Sequence, residues 1–395
     1  MGKAELCNFI RSKYPKAFGI RKRLQQLKVQ RLRRYMLTAD EVLACEKDPA
    51  EKKRMVEACC AKWEGPMRPI IEEMEDILKH STLLCDRSDL DELRTDILYC
   101  RLAFGFLPSE YVGFGLEQCS KEERESFVSD IDTFEFGYSV NDITVLQSIV
   151  NKGQSAQLFS QYFGRDIFWA NAKASYEDFR SFVTKHPRFV KKKTNSAMGK
   201  NIEVVEIDKV GKNEREYFDE LLTKGSFLLE EIIVQHEEMA RYNSSSVNTI
   251  RCMTMKTKDN GVVVPFTFMR TGREGSFVDN GGSGGILIGV DEKTGMINTD
   301  GYDEYMHHYP EHPDTHVPFC GNQVPAWEEM LEFCKKAAEK VEGMGYLSWD
   351  MAYTDKGWVV IEVNGIGQMI GPQTVTKKGN KEKLTKLLAQ MEKVI

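Results

Sequence analysis

This sequence has no run of about twenty apolar residues, the length a helix needs to cross a bilayer, so a spanning helix is not expected. Nor do its first residues carry the apolar core of an export signal, and the expected location is cytoplasmic. The 10 cysteines contain no C-x-x-C spacing; Cys59 and Cys60 are merely adjacent. That scatter suits reduced, mostly buried thiols better than disulfides or a zinc site. A formal net charge of −6 leaves no basic excess for a general nucleic-acid binder. Internal repeats and low-complexity linkers are missing too, as is any credible pairing of a Ser or Cys nucleophile with a His base.

What is present is an ordinary globular composition over 395 residues, room for two or three domains or subdomains. Residues 1 to about 40 are strongly basic. Arg21, Lys22, Arg23, Arg31, Arg33 and Arg34 interleave with Leu24, Leu27, Leu32 and Tyr35 in a helical pattern. A helix packed on its own domain is the expectation, with contact to an acidic membrane surface or a polyanion left open. The helical pattern continues from Ala39 to about Arg101, where Trp63, Met67, Ile70, Met74, Ile77 and Leu78 fall on one apolar stripe. After about residue 150 short β-rich runs take over, at 188–193, 202–207, 227–234, 249–257, 262–270 and 285–290. A helix opened by Pro325 and closed by Gly343 interrupts them. Such an order reads as an α+β region behind a helical N-terminal domain.

The stretch at 349–365 organises the rest. Two apolar-rich runs flank Thr354-Asp355-Lys356-Gly357, the pattern of a β-hairpin. A three-residue loop, with Gly357 in the left-handed region, pairs Thr354 with Trp358, Asp350 with Glu362 and Ser348 with Asn364. Alternation then puts Asp350, Glu362 and Asn364 on one face. Facing carboxylates destabilise a sheet unless a positive charge lies between them. With the amide oxygen they make an all-oxygen set that suits magnesium. A surface hairpin with scattered polar residues explains the alternation, but not why the acids coincide.

Four other groups bear chemistry. At 189–205 a strand delivers Lys191 to a small polar loop that includes Ser196 and Gly199, whose N–H groups suit phosphate oxygens. At 227–239 an apolar strand ends in Glu230-Glu231 and runs on through Ile233, the kind of slot a nucleotide base needs, with Glu237 or Glu238 beyond for ribose hydroxyls. At 248–270 a two-residue turn at Asn260-Gly261 pairs Arg251 with Arg270, and two facing guanidiniums call for an anion between them. At 279–286 four glycines in five residues allow close backbone approach to a ligand, or loop closure over it. His307, His308, His312 and His316 fit no trusted zinc spacing.

Taken in chain order, Lys152, Lys191 with its Ser/Gly loop, Glu230-Glu231, Arg251, Arg270, Asp350, Glu362 and Asn364 resemble the ATP-grasp superfamily. The phrases SVNTIRCMT, RTGREGSFVDNGGSGGI, HPDTHVPF and WDMAYTDKGWVVIEVNG are similar to its sugar-transfer associated branch, which is related to α-L-glutamate ligases. The likeness runs over about residues 105–371, and the loop KKKTNSAMGK has fewer glycines than most relatives. It implies an α+β ATP-grasp fold of two subdomains clasping ATP. The implied division is a helical domain at 1–148, a subdomain with the phosphate loop and adenine strand at 149–245, and one with metal-binding strands and substrate loops at 246–395.

The resemblance further implies ATP with magnesium, two ions being expected and manganese an accepted substitute. Lys152, Lys191, Ser196 and Gly199 would meet phosphates, Glu230, Glu231 and Ile233 adenine, Glu238 ribose, and Asp350, Glu362 and Asn364 the metal. The implied reaction joins a small-molecule or glycan-linked carboxylate, or an amino acid, to an amine through an acyl phosphate. Arg251, Arg270 and Lys191 are its catalytic contacts. A kinase of the same fold, acting on a sugar, amine or amide, and a non-catalytic nucleotide-binding module of glycan assembly are the alternatives.

Overall fold

The computed structural model describes residues 15–195 and 202–394, with side chains from residue 23 onward. Helices Ala39–Lys47, Pro49–Lys62, Glu64–His80 and Leu90–Phe104 build the first part of the chain. Their starts follow local chemistry. The Thr38 hydroxyl accepts from the Glu41 N–H while the Glu41 carboxylate accepts from the Thr38 N–H, and Asp48 caps the next helix ahead of Pro49. The apolar stripe is inside: Met67, Ile70, Met74, Ile77 and Leu78 pack with Leu93, Ile97 and Leu102 in a core that runs from Leu37 to Phe127. The basic helix Pro15–Leu32 packs on the helix Asp130–Val140. Gln25 Nε2 donates to the Asn141 carbonyl at 2.6 Å, and Arg33 pairs with Asp132 and Glu135.

Strands β1 (Ile167–Ala170), β2 (Arg188–Lys193), β3 (Ile202–Glu206) and β4 (Phe227–Glu231) form an antiparallel sheet in the order β1-β4-β2-β3. Helices Tyr176–Lys185 and Glu214–Lys224 cover one of its faces through Phe179, Phe182, Phe218 and Leu221. A second antiparallel sheet takes β5 (Thr249–Thr257), β6 (Gly261–Thr271), β7 (Ile286–Val290), β8 (Ile297–Tyr302), β9 (His308–Tyr309), β10 (Tyr346–Thr354) and β11 (Gly357–Asn364), in the order β11-β10-β5-β6-β7-β8-β9. The helix Trp327–Glu339 covers one face with Met330, Cys334 and Ala337. The other face packs Val128, Phe136 and Val140 against Met253, Phe266 and Tyr346 at one end. At its other end it looks across a cleft to the second face of the first sheet, where Leu228 joins a core with Ala156 and Phe163 and where Lys192 and Glu230 line the cleft.

Three of the expected runs are trimmed: β3 stops at Glu206, β4 stops at Glu231 and β7 starts at Ile286. Strands β1, β8 and β9 add to the sequence reading. The described cysteines are free thiols. No helix of the described residues is long and apolar enough to cross a membrane.

Candidate active site

A bulge brings the two acids together. The β10–β11 hairpin turns in two residues, with Thr354 opposite Gly357 and Tyr353 opposite Trp358, one residue tighter than the three-residue loop expected from the sequence. Gly357 takes the left-handed turn position, φ 98°. Continued unbroken, this register would set Asp350 opposite Ile361 and turn Glu362 to the far face, because a slip of one residue flips every side chain. Instead the ladder shifts between Asp350 and Met351. Met351 faces Val360, Asp350 faces Glu362, Ser348 faces Asn364, and Ile361 is the extra residue. Asp350, Glu362 and Asn364 therefore share a face through a tight turn and a compensating bulge.

The two arginines are arranged otherwise than the turn signal suggested. Thr257 faces Gly261, and the ladder shifts again between Met253 and Met255. Arg251 consequently faces Phe268 while Arg270 faces Thr249, which makes the guanidiniums diagonal neighbours on one face instead of a direct pair. Asp350, beside Arg251 on β10, stands between them. Arg251 Nη2 donates to Asp350 Oδ2 at 3.0 Å, its Nε reaches Oδ1, and Arg270 Nη2 lies 3.0 Å from the same Oδ1. Arg270 Nε is also 3.7 Å from Asp279 Oδ2. The anion between the arginines is thus the chain's own carboxylate. Burial alone would raise the Asp350 carboxyl, but the two guanidiniums outweigh it and hold it below the usual carboxylate range. Burial keeps Asp279 above that range despite Arg270.

Relief of repulsion is therefore not the expected result of removing an arginine. Arg270→Met leaves Asp279 buried without its cation and Asp350 with one of two. Breaking a buried pair in this way should lower stability by about 3 kcal/mol. Thermal melts check it: an unchanged midpoint would mean that these ion pairs hold nothing together.

The lysines divide by strand parity. Lys152 opens the short helix Lys152–Leu158 and places Nζ 2.8 Å from Glu362 Oε1. Lys191 corrects the sequence reading: alternation turns it to the helix-covered face of β2. There Nζ lies 2.7 Å from Glu203 Oε1, over the rings of Tyr217 and Phe227. Lys192 enters the cleft instead, with Nζ 2.9 Å from Glu230 Oε2, beside Lys152, Phe163, Ile361 and Glu362. Burial pulls the Lys192 ammonium down even with Glu230 against it. Burial would raise Glu230, yet Arg165 and Lys192 together bring it to about 2.

The expected adenine contacts separate in the same way. Glu230 faces the cleft inside this ion-pair network. Glu231 points elsewhere and accepts the Asp166 N–H at 3.0 Å. Ile233 lies half-buried just past β4, and Glu238 is exposed at the start of the helix Glu237–Ala240. Ser196 and Gly199 fall outside the described residues. Sequence reasoning missed Lys192 and Arg165. The parity of Val190 and Lys192 against Leu228 and Glu230 was the available signal for the first; the second sits in a loop without any motif.

A second group of ligand-type side chains, Asp166, His186 and Glu231, brings its atoms within 4.8 Å of one another. Hydrogen bonds to Lys185 and His186 already occupy Asp166 and lower its carboxyl. The histidines of 307–316 do not converge: His307 pairs with Asp303, His308 with Asp300 and His316 with Glu311, while buried His312 bonds the Gly272 carbonyl. In the glycine-rich loop, Asp279 accepts from the Thr249 hydroxyl and Arg273 Nε donates to the Gly284 carbonyl at 2.7 Å, so its base is pinned to the sheet.

The family model for sugar-transfer associated ATP-grasp proteins matches residues 163–390, which contain both sheets and most of the cleft lining, Lys152 lying just ahead of the match. The chain belongs to the sugar-transfer associated ATP-grasp family. Its fold is the ATP-grasp fold, here with a helical region ahead of it. Among solved structures it is similar to the ATP-grasp ligase PsnB complexed with a minimal precursor, at 12% identity and TM-score 0.39 over 64% of this chain and 63% of that one. The chain thus spans less than two thirds of that protein's length. It is also similar to the D-alanine–D-alanine ligase from Bacillus anthracis, at 13% identity and TM-score 0.38 over 64% and 70%. A third is the VanG D-Ala:D-Ser ligase from Enterococcus faecalis, at 15% identity and TM-score 0.39 over 63% and 64%. No curated protein matches the chain.

Proposed function

We propose that this ATP-grasp chain is an ATP-dependent carboxylate–amine ligase, forming an amide through an acyl phosphate, with ATP in the cleft between the two sheets. The observation that carries the reading is the meeting of Asp350 and Glu362 on one face, with Lys152, Lys192, Arg251 and Arg270 around them. With Arg165 the cleft has one more cation than acid, set against Glu230, Asp279, Asp350 and Glu362. Such a surplus suits a polyanion carried with a divalent ion.

The donor set fits magnesium. Asp350, Glu362 and Asn364 are all oxygen donors on one face, and the Glu362 side chain keeps 36% of its surface open at the cleft. These three would hold the ion, whose chemistry when bound is to neutralise charge on the transferring phosphoryl group. Lys152 and Lys192 are placed as point charges for the polyphosphate. Ile232 and Ile233, just past β4, would offer adenine an apolar wall, with Glu238 on the ribose side. A substrate carboxylate oxygen attacks the γ-phosphorus, and ADP leaves. The amine nitrogen then attacks the acyl carbon, phosphate departs, and the amine loses a proton. Arg251 and Arg270 would stabilise the tetrahedral oxyanion through Nη1, a guanidinium nitrogen of each that does not bond Asp350. The substrates fall in the class of sugar- or glycan-linked carboxylates, or amino acids, with an amine acceptor.

Screening acid and amine pairs for ADP release, with mass spectrometry of the products, tests this. The expected result is ADP, phosphate and an amide in equal amounts when both substrates are present. A stable phosphorylated product would assign a kinase instead. Nucleotide binding without any ADP across the screen would leave a binding module.

A further inference from the structure

The bulge that aligns Asp350 with Glu362 needs an explanation of its own. An extra residue in a strand leaves ladder groups unpaired, and unpaired buried carbonyls are costly. β11 is also the edge strand of its sheet, and two of its carbonyls at the bulge are taken by one side chain from the other sheet's side of the cleft. Arg165, with 4% of its side chain exposed, donates through Nη1 to the Val360 carbonyl at 2.6 Å and through Nη2 to the Ile361 carbonyl at 3.3 Å. Nη1 also donates to the Phe163 carbonyl at 3.0 Å, and Nε and Nη2 both donate to Glu230 Oε2, at 3.1 and 2.7 Å. All five donors of the guanidinium are engaged. The approach is built in by the preceding residue. Gly164 has φ 60°, and a Cβ there would come within 2.4 Å of Val359 Cγ1, so glycine lets the loop lie against β11.

The geometry points to Arg165 as a positioning residue that locks the β11 bulge, and with it the register that makes Asp350 and Glu362 face each other as metal ligands. This rests on the metal reading given above. The same guanidinium fixes Glu230, and through it Lys192, so one side chain sets the spacing between the phosphate side and the acid side of the cleft. Without it the β10–β11 ladder can relax to the register of its turn end, which carries Glu362 to the opposite face. Lysine is no substitute: its three donors radiate from a single atom and cannot reach both bulge carbonyls and Glu230 in one plane.

Manganese binding, followed by electron paramagnetic resonance in the presence of a non-hydrolysable ATP analogue, tests the assignment without relying on turnover. Arg165→Met and Arg165→Lys are both expected to bind Mn2+ about tenfold to a hundredfold more weakly than the wild-type chain. Arg165→Lys should recover melting temperature, by keeping a charge against Glu230, without recovering metal affinity. Wild-type Mn2+ affinity in either folded variant overturns the proposal, whatever the melt shows. Failure of both variants to fold also contradicts it, since the contact would then hold the fold and not the register. A wild-type chain that binds no Mn2+ beside the analogue is a distinguishable result: it sinks the metal reading first, and this proposal with it.

Discussion

Replacing Asp350 by Asn is expected to lower ATP turnover about a thousandfold and to lower stability as well. Asp350 does two things at once. It neutralises the buried guanidiniums of Arg251 and Arg270, and it faces Glu362 across the ladder. An amide in its place leaves two buried cations without their shared charge, a loss of about 3 kcal/mol. Glu362→Gln separates the two roles, because the Glu362 carboxylate is partly open to the cleft and pairs with Lys152 at 2.8 Å. Its turnover should fall as far, while its stability stays within about 1 kcal/mol of wild type. ADP-release rates and thermal melts on the same preparations measure both halves. A Glu362→Gln chain with full turnover would remove the acid pair from the chemistry.

Lys192→Met should weaken binding of a non-hydrolysable ATP analogue by roughly tenfold to a hundredfold, the worth of one charge-assisted contact. Lys191→Met should leave affinity near wild type. The two residues are neighbours in sequence with opposite surroundings. Lys192 Nζ is buried in the cleft 2.9 Å from Glu230, whereas Lys191 Nζ is 2.7 Å from the largely exposed Glu203 on the far face. Calorimetric titration on folded protein decides it. Equal losses, or the reverse order, would mean that the phosphates run along the other side of β2.

How far the site was legible follows from which periodicities are free of accidents. The helices of the first hundred residues read cleanly because stripes such as Met67-Ile70-Met74 repeat at helical spacing and are buried as read. The facing of Asp350 and Glu362 was also legible, though through a compensation. The loop is one residue shorter than read, the bulge at Ile361 returns that residue, and the pattern carries no mark of either. In the β5–β6 hairpin the turn closes with Thr257 opposite Gly261, three residues off the register of an Asn260-Gly261 turn, and the shift between Met253 and Met255 returns only one of them, so the direct Arg251–Arg270 pair became a diagonal one. Three consecutive lysines after Phe189 and Val190, both buried, do not show by themselves which lysine faces the cleft; the parity of Lys192 with Val190, read against Leu228 and Glu230 on the paired strand, is what separates them. Strands β8 and β9 escaped because INTDGY and HY are too polar or too short to stand out. Arg165 carried no signal, since its role is set by a bulge in a strand 195 residues away.

The most direct test is anomalous diffraction from crystals grown with Mn2+ and a non-hydrolysable ATP analogue. Manganese is expected against the carboxylates of Asp350 and Glu362, with the polyphosphate running beside Lys152 and Lys192. Manganese at Asp166, His186 and Glu231, or a triphosphate lying against Lys191, would contradict the account.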